Sequence, residues 1–358
     1  MTPARKHRTR RATCFALGLV AFVGGAAGAG AQSIAITGGT VHPVAGPPIE
    51  NGVVLIEDGL IAAVGSAAEV QVGDAAVVDA TGKVVTLGLI EAGSQLGLVE
   101  VGAVASTRSG SLDRGLNRSA FRVSDGLDPR SMLFASARAD GVTSAITSPA
   151  GGVIAGQGAA LTTAGESRAE VLAGDIPLVV RASGATDIEM ALEIQAEYGF
   201  RMVIDGGEEA WMLADRLAAA NVPVMLRALA NLPTQFDRLS TRYENPGLLS
   251  AAGVDVVLTT RSSHRVGQVT HEAGNAVRYG MDWDDALEAI TLAPARAFAI
   301  DDAVGSLEPG KRANVVIWSD DPLDFAGYAE TVFVDGRQVD TTSRQLRLFE
   351  RYRRIDPR

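Results

Sequence analysis

Cysteine is almost missing from this chain: Cys14 is the only one among 358 residues. Histidine is nearly as scarce, with four, and aromatic side chains make up 5% of the chain. A disulfide framework and a cysteine-based metal cluster are therefore excluded, and the core has to be built from small and β-branched side chains. Basic residues are outnumbered by acidic ones, 32 to 42, for a net charge of −10. That balance argues against an extended nucleic-acid surface or an anionic-membrane surface. With 47% apolar and 21% charged residues, the composition is that of a globular α/β chain rather than a disordered one.

Long apolar runs are missing as well. Phe15 to Val23 is apolar but far shorter than a bilayer span. It follows Arg5, Lys6, Arg8, Arg10 and Arg11, and precedes a small-residue run ending Ala29-Gly30-Ala31 before Gln32. A basic n-region, a short apolar core and an A-x-A site predict a signal peptide over residues 1–31. The expected location is the periplasm or the exterior, with no membrane span after removal. Arg10-Arg11 also allows a twin-arginine route, so Sec and Tat export both stay open. The mature chain would then hold 27 basic and 42 acidic residues, about −15, and no cysteine.

What is present is organised. Ser33 to Val85 reads as short strands, with Asp58-Gly59 as a hairpin signal between Val53–Ile56 and Ile61–Val64. From Leu87 strands alternate with helical stretches. Helices are predicted at Ser131–Asp140, Thr186–Tyr198, Glu208–Ala220, around His271–Tyr279 and at Trp283–Ala289. Strands are predicted at Gly141–Thr147, Ile176–Ala182, Arg201–Ile204, Val222–Leu226 and Val254–Thr259. The pattern returns to strands at Asn314–Trp318 and Thr331–Val334, with a second Asp-Gly turn at Asp335-Gly336. Terminal strands that pair with each other around a βα insert would account for this order. Arg344 to Arg354 reads as a basic amphipathic helix, with Leu346, Leu348, Phe349 and Tyr352 on its apolar side.

The chain resembles the metal-dependent amidohydrolase superfamily, which includes imidazolonepropionase, dihydroorotase and urease. The N-terminal residues that carry the likeness are Gly38-Gly39-Thr40-Val41, Asn51 to Gly59, Ile61 to Gly65 and Asp79 to Val85. The C-terminal ones are Ala289-Ile290-Thr291, Pro294-Ala295, Gly305 to Lys311, Ala313 to Trp318, Asp321-Pro322-Leu323 and Val332 to Gly336. The resemblance implies an α/β fold: a TIM-like β/α barrel over 87–304 and a composite β-sandwich from 32–86 and 305–342. The basic helix candidate would occupy 343–358. The implied reaction is hydrolysis of non-peptide C–N bonds with zinc or another divalent metal.

The residues that would hold that metal are replaced. Where relatives end the first barrel strand in His-x-His, this chain has Gly93 and Gln95. Glycine offers no ligand, and a neutral amide is a poor one for zinc. The resemblance assigns further ligand positions to Arg181, Gly206 and Arg261, the last where an Asp ligand and general base is expected. Paired arginines repel a cation. Between Gly156 and Asp175 the chain is too short for full third and fourth βα units, so the barrel is open to being incomplete.

No other chemistry takes the metal's place. Gly151-Gly152 to Gly156-Gln157-Gly158 lacks the lysine of a P-loop and reads as a loop near the barrel mouth. Ser263-His264 are adjacent and do not make a nucleophile–base pair. His264 and His271, seven apart, are expected on one helix, with Glu272 facing solvent; His42 lies in the β-module. The pocket candidates are Glu91, Gln95, Arg181, Asp205 and Arg261. The expectation is a degenerate, exported member of the superfamily with no metal cofactor. It would bind a small anion, or act as a homo-oligomer or as the partner of a histidine-complete relative. An active metal-dependent amidohydrolase with non-standard ligands is the alternative.

Overall fold

A computed structural model describes residues 33–112, 115–163, 171–172, 177–230, 232–342 and 344–353. The expected signal peptide lies outside the described residues, as does the end of the C-terminal helix candidate.

The chain opens with five strands: β1 (Ile34–His42), β2 (Ile49–Glu57), β3 (Leu60–Ser66), β4 (Ala76–Asp79) and β5 (Val84–Leu87). Four more follow: β6 (Leu89–Ser94), β7 (Val142–Thr147), β8 (Ala159–Thr162) and β9 (Val171–Leu172). Then come β10 (Leu178–Ala182), β11 (Met202–Gly206), β12 (Val224–Leu226) and β13 (Val256–Leu258). The chain returns to strand in β14 (Val315–Trp318), β15 (Ala329–Val334) and β16 (Arg337–Gln338).

Strands from both chain ends form one sheet in the order β16-β15-β14-β5-β1-β2-β3, with β4 also paired to β1. Irregular register in β1 lets its first half pair with β4 and its second half with β5. The junction between the ends is the antiparallel β5–β14 ladder, Val85 opposite Ile317. Ile36, Val54, Ile56, Val85, Val315, Ile317 and Phe333 share one apolar cluster, so burial welds the two ends together. Both Asp-Gly turns take left-handed angles, Asp58 and Gly59 at φ 52° and 83°, Asp335 and Gly336 at 48° and 71°, as a two-residue hairpin of matching twist requires. The turns touch at their tips: a Cβ on Gly336 would lie 2.7 Å from the Gly59 Cα. Ala313 bridges them, its N–H donating to Gly59 O and its carbonyl accepting from Gly336 N–H, both at 2.9 Å.

Between the ends lies the barrel wall, in two parts. β10-β11-β12-β13 is a regular parallel sheet. In the order β6-β7-β8-β9, only the first pair is parallel, and β8 and β9 run antiparallel to their neighbours. Thirty residues separate Thr147 from Leu178, where two βα units would need about sixty. Two short antiparallel strands take their place, as the short spacing anticipates. Among the described residues no strand ladder joins the two parts. The β6–β13 seam is closed by local bonds instead: Ile90 N–H donates to Ile290 O and Leu258 N–H to Ala289 O, both at 2.9 Å.

Helices accompany the strands. They are α1 (Met132–Ala139), α2 (Ala185–Tyr198), α3 (Ala214–Ala219), α4 (Asn245–Ala251), α5 (Val269–Arg278), α6 (Trp283–Glu288), α7 (Leu292–Ala297) and α8 (Arg344–Tyr352). Of these, α7 packs its alanines into the interior cluster. Helix ends carry the expected signals: the Ser131 hydroxyl accepts from Leu133 N–H at 3.2 Å, Asp282 caps α6, and Gly199 ends α2 at φ 70°. The helix predicted over Glu208–Ala220 is shorter, beginning as the 3₁₀ turn Ala210–Leu213 before α3. Along β10–β13 alternate residues point to opposite faces. Met202, Ile204, Val224, Leu226, Val256 and Leu258 pack under the helices. Val203, Met225 and Val257 point inward, with Ile90, Ala92 and Ile146 from the other part, and Phe298 and Ile300 plug the base.

Candidate functional site

The inward phase of each parallel strand continues past its apolar residues to a polar one at the C-terminal end. Val179 leads to Arg181, Val203 to Asp205, Met225 to Arg227 and Val257 to Thr259. This is the end of a barrel where sites are built. There Arg181, Arg227, Arg238 and Arg261 line a cavity of about 440 Å³, together with Glu208, Leu229, Ala230, Leu232 and Thr234.

Each acid near this cavity is engaged. Arg261 Nη2 donates to Asp205 Oδ1 in a pair largely withdrawn from solvent. Burial pushes the Asp205 carboxyl up and the Arg261 guanidinium down, and the opposite charge of each partner works against that shift. Arg261 also holds a left-handed backbone, φ 52°, pinned by its N–H donating to Thr259 Oγ1 at 3.0 Å. Arg238 Nη1 donates to Glu208 Oε1 at 2.7 Å. Arg227 lies 3.8 Å from Glu272, whose Oε2 accepts from Leu229 N–H at 3.0 Å. Arg181 stands beside Asp205 in the β10–β11 register, and among the described residues it forms no ion pair.

Of the five pocket candidates, then, Arg181, Asp205 and Arg261 come together, and two do not. Glu91 lies on the opposite strand phase from Ile90 and Ala92, fully buried at the seam. Thr259 Oγ1 donates to it at 2.8 Å, and Thr260 donates through both N–H and hydroxyl at 3.1 Å. Burial raises its pKa to about 8 against those donors. It is a clamp between β6 and β13. Gln95 sits beyond the end of β6 with its amide against Gly110.

The histidines are elsewhere. His42 packs on Trp283 at 4.6 Å between ring centroids, and His271 on α5 stacks on Phe325 at 4.1 Å. His264 is not on that helix: it lies in the preceding loop, its Nε2 2.8 Å from Glu100 O. Glu272 does not face solvent, because α5 turns it inward to cap the Leu229 N–H. Sequence reasoning missed Arg227, Arg238, Glu208 and the role of Glu272. Extending the period-two pattern one step past Leu226 would have found Arg227. Arg238 comes from the 3₁₀ turn Phe236–Arg238, for which the sequence carries no comparable signal.

The residues present do not fit a divalent metal. Gly93 has φ 83°, and a Cβ there would already lie 3.1 Å from the Met225 Sδ and Cε; the thioether occupies the space an imidazole would need. Gly206 has φ 127°, with a Cβ position 2.7 Å from Ala182 O, so a histidine there would be both strained and obstructed. Arg181 and Arg261 bring positive charge to two more of the positions, and Gln95 offers only a neutral amide. Among the described residues no group of three or more His, Cys, Asp or Glu side chains is placed to hold a metal ion.

The profile of the Amidohydrolase family matches residues 180–343. An amidohydrolase from Thermotoga maritima is similar at 25% identity, with a TM-score of 0.76 over 86% of this chain and 99% of that one. Molinate hydrolase is similar in fold at 18% identity and TM-score 0.55, over 87% and 95% of the two chains. So is N-isopropylammelide isopropylaminohydrolase from Burkholderia multivorans, at 17% and 0.55 over 86% and 98%. The amidohydrolase tasK of Hapsidospora irregularis is 32% identical over 68 residues, 19% of this chain and 7% of that protein. Residues 180–343 thus carry the Amidohydrolase family profile, and the chain has the α/β fold of the amidohydrolase structures it is similar to.

Proposed function

We propose that this protein is an exported anion-binding member of the superfamily that no longer performs the family's hydrolysis of C–N bonds. The observation that carries the reading is the set of four arginines converging on one cavity at the strand ends, where relatives would hold a cation. A catalytic metal makes hydroxide available near neutral pH and polarises the scissile carbonyl. Glycine and arginine supply neither effect. Guanidinium groups, always charged and forked, are suited to carboxylates and phosphates.

Two measurements on purified protein test this. Elemental analysis should find less than about one tenth of an equivalent of zinc, iron or manganese. Small carboxylates should raise the melting temperature, and Arg181→Ala should abolish that rise. Stoichiometric metal retained through chelation, with turnover of an amide, would overturn the proposal.

A further inference from the structure

The charges around the cavity nearly cancel. Asp205, Glu208 and Glu272 stand against Arg261, Arg238 and Arg227 respectively, leaving Arg181 as the arginine with no acid of its own among the described residues. One negative charge completes the set. The Nε atoms of Arg238 and Arg261 are buried and lack a hydrogen-bond acceptor. A carboxylate has two oxygens and room for several such donors. A second negative charge would have to settle near Glu208, whose Oε2 is buried with no donor.

The wall has a different character. Leu229, Ala230 and Leu232 line the cavity on the connection after β12, and Leu229 and Leu232 are 42% and 52% exposed. Farther along the same connection Phe236 and Leu239 are more exposed still, at 96% and 58%. Large apolar side chains exposed together in this way mark a contact surface. A wholly polar anion would satisfy the arginines and leave these groups in water.

Resting on the anion-pocket reading, we propose that the ligand is a monocarboxylate with an apolar tail: the carboxylate bound by Arg181, Arg238 and Arg261, the tail laid along Leu229 and Leu232. Calorimetric titration of the purified protein with acetate, octanoate and octyl phosphate tests it, the last at a pH where it carries two charges. Each buried methylene is worth about fourfold in affinity, so octanoate should bind at least about thirtyfold more tightly than acetate. Arg181→Ala should weaken octanoate by about tenfold or more. Leu232→Ser, a change at a half-exposed site, should cut the octanoate-to-acetate ratio by about fivefold. Acetate and octanoate binding within about threefold of each other, both lost in Arg181→Ala, would overturn the tail and leave the anion pocket standing. Octyl phosphate binding more tightly than octanoate would overturn the single-charge assignment. Binding of none of the three would overturn both the ligand class and the pocket.

Discussion

The two parts of the barrel wall depart from their relatives by opposite routes. In β6–β9 the change is one of removal: His-x-His positions hold Gly93 and Gln95, and two antiparallel strands stand where longer βα units would be. The emptied interior is filled by apolar atoms, above all the Met225 thioether against Gly93. In β10–β13 the parallel strands and their helices are intact, and the change is of charge: Arg181 and Arg261 stand at ligand positions, with Arg227 between them. One part places apolar atoms beside the former ligand position Gly93, and the other gathers arginines around a cavity. The proposed anion site rests on the second change, not on the first.

The charge-bearing part should be the more fragile when its pairs are broken. Asp205→Ala strands the largely buried Arg261 without its partner and is expected to cost about 3–4 kcal/mol. Arg181→Ala removes a cation that forms no ion pair among the described residues, and should change stability by less than about 1 kcal/mol. Urea unfolding of both variants checks the contrast, and equal losses would erase the distinction between paired and unpaired arginines.

Restoring a ligand in the filled part should fail for steric reasons. Gly93→His places a side chain on a left-handed backbone against Met225, at an expected cost of about 2–3 kcal/mol. The variant should bind no more zinc than the parent by equilibrium dialysis. Combining it with Met225→Ala should recover part of the lost stability, as neighbours sharing one space do.

The seam between the two parts offers the smallest effect and a pH signature. With its folded pKa raised to about 8, Glu91 keeps a proton in the native state that the unfolded chain releases above its ordinary range near 4.5. Stability therefore falls as pH rises between these values and levels off above about 8. Glu91→Gln cannot titrate, so its unfolding free energy should lose that slope. It should exceed the parent's by on the order of 2 kcal/mol at the alkaline end, with no advantage at the acid end. A variant that is less stable at every pH would show that the carboxylate's bonds to Thr259 and Thr260 outweigh its burial.

Most of the architecture is readable from local chemistry. Short unbroken apolar runs place β10–β13, the helical spacing of Thr186–Tyr198 places α2, and the two Asp-Gly pairs place hairpins, because each depends on neighbours within a few positions. The shortage of residues for two full βα units between Thr147 and Leu178 is likewise a matter of chain length. At the site, the identities of Gly93, Arg181 and Arg261 are read directly from the sequence. Separating Glu91 from the cavity took the tertiary structure, since strand phase becomes burial at a seam only once β6 meets β13. Glu272 shows the same limit: on an isolated helix a carboxylate beside His271 belongs in water, yet the fold offers it the Leu229 N–H and the Arg227 charge. Arg238 and Glu208 meet across thirty residues. Local periodicity depends on the backbone's own repeat, so it is written in the chain residue by residue. Which charges face one another depends on how distant strand ends and loops close, and only the packed barrel decides that.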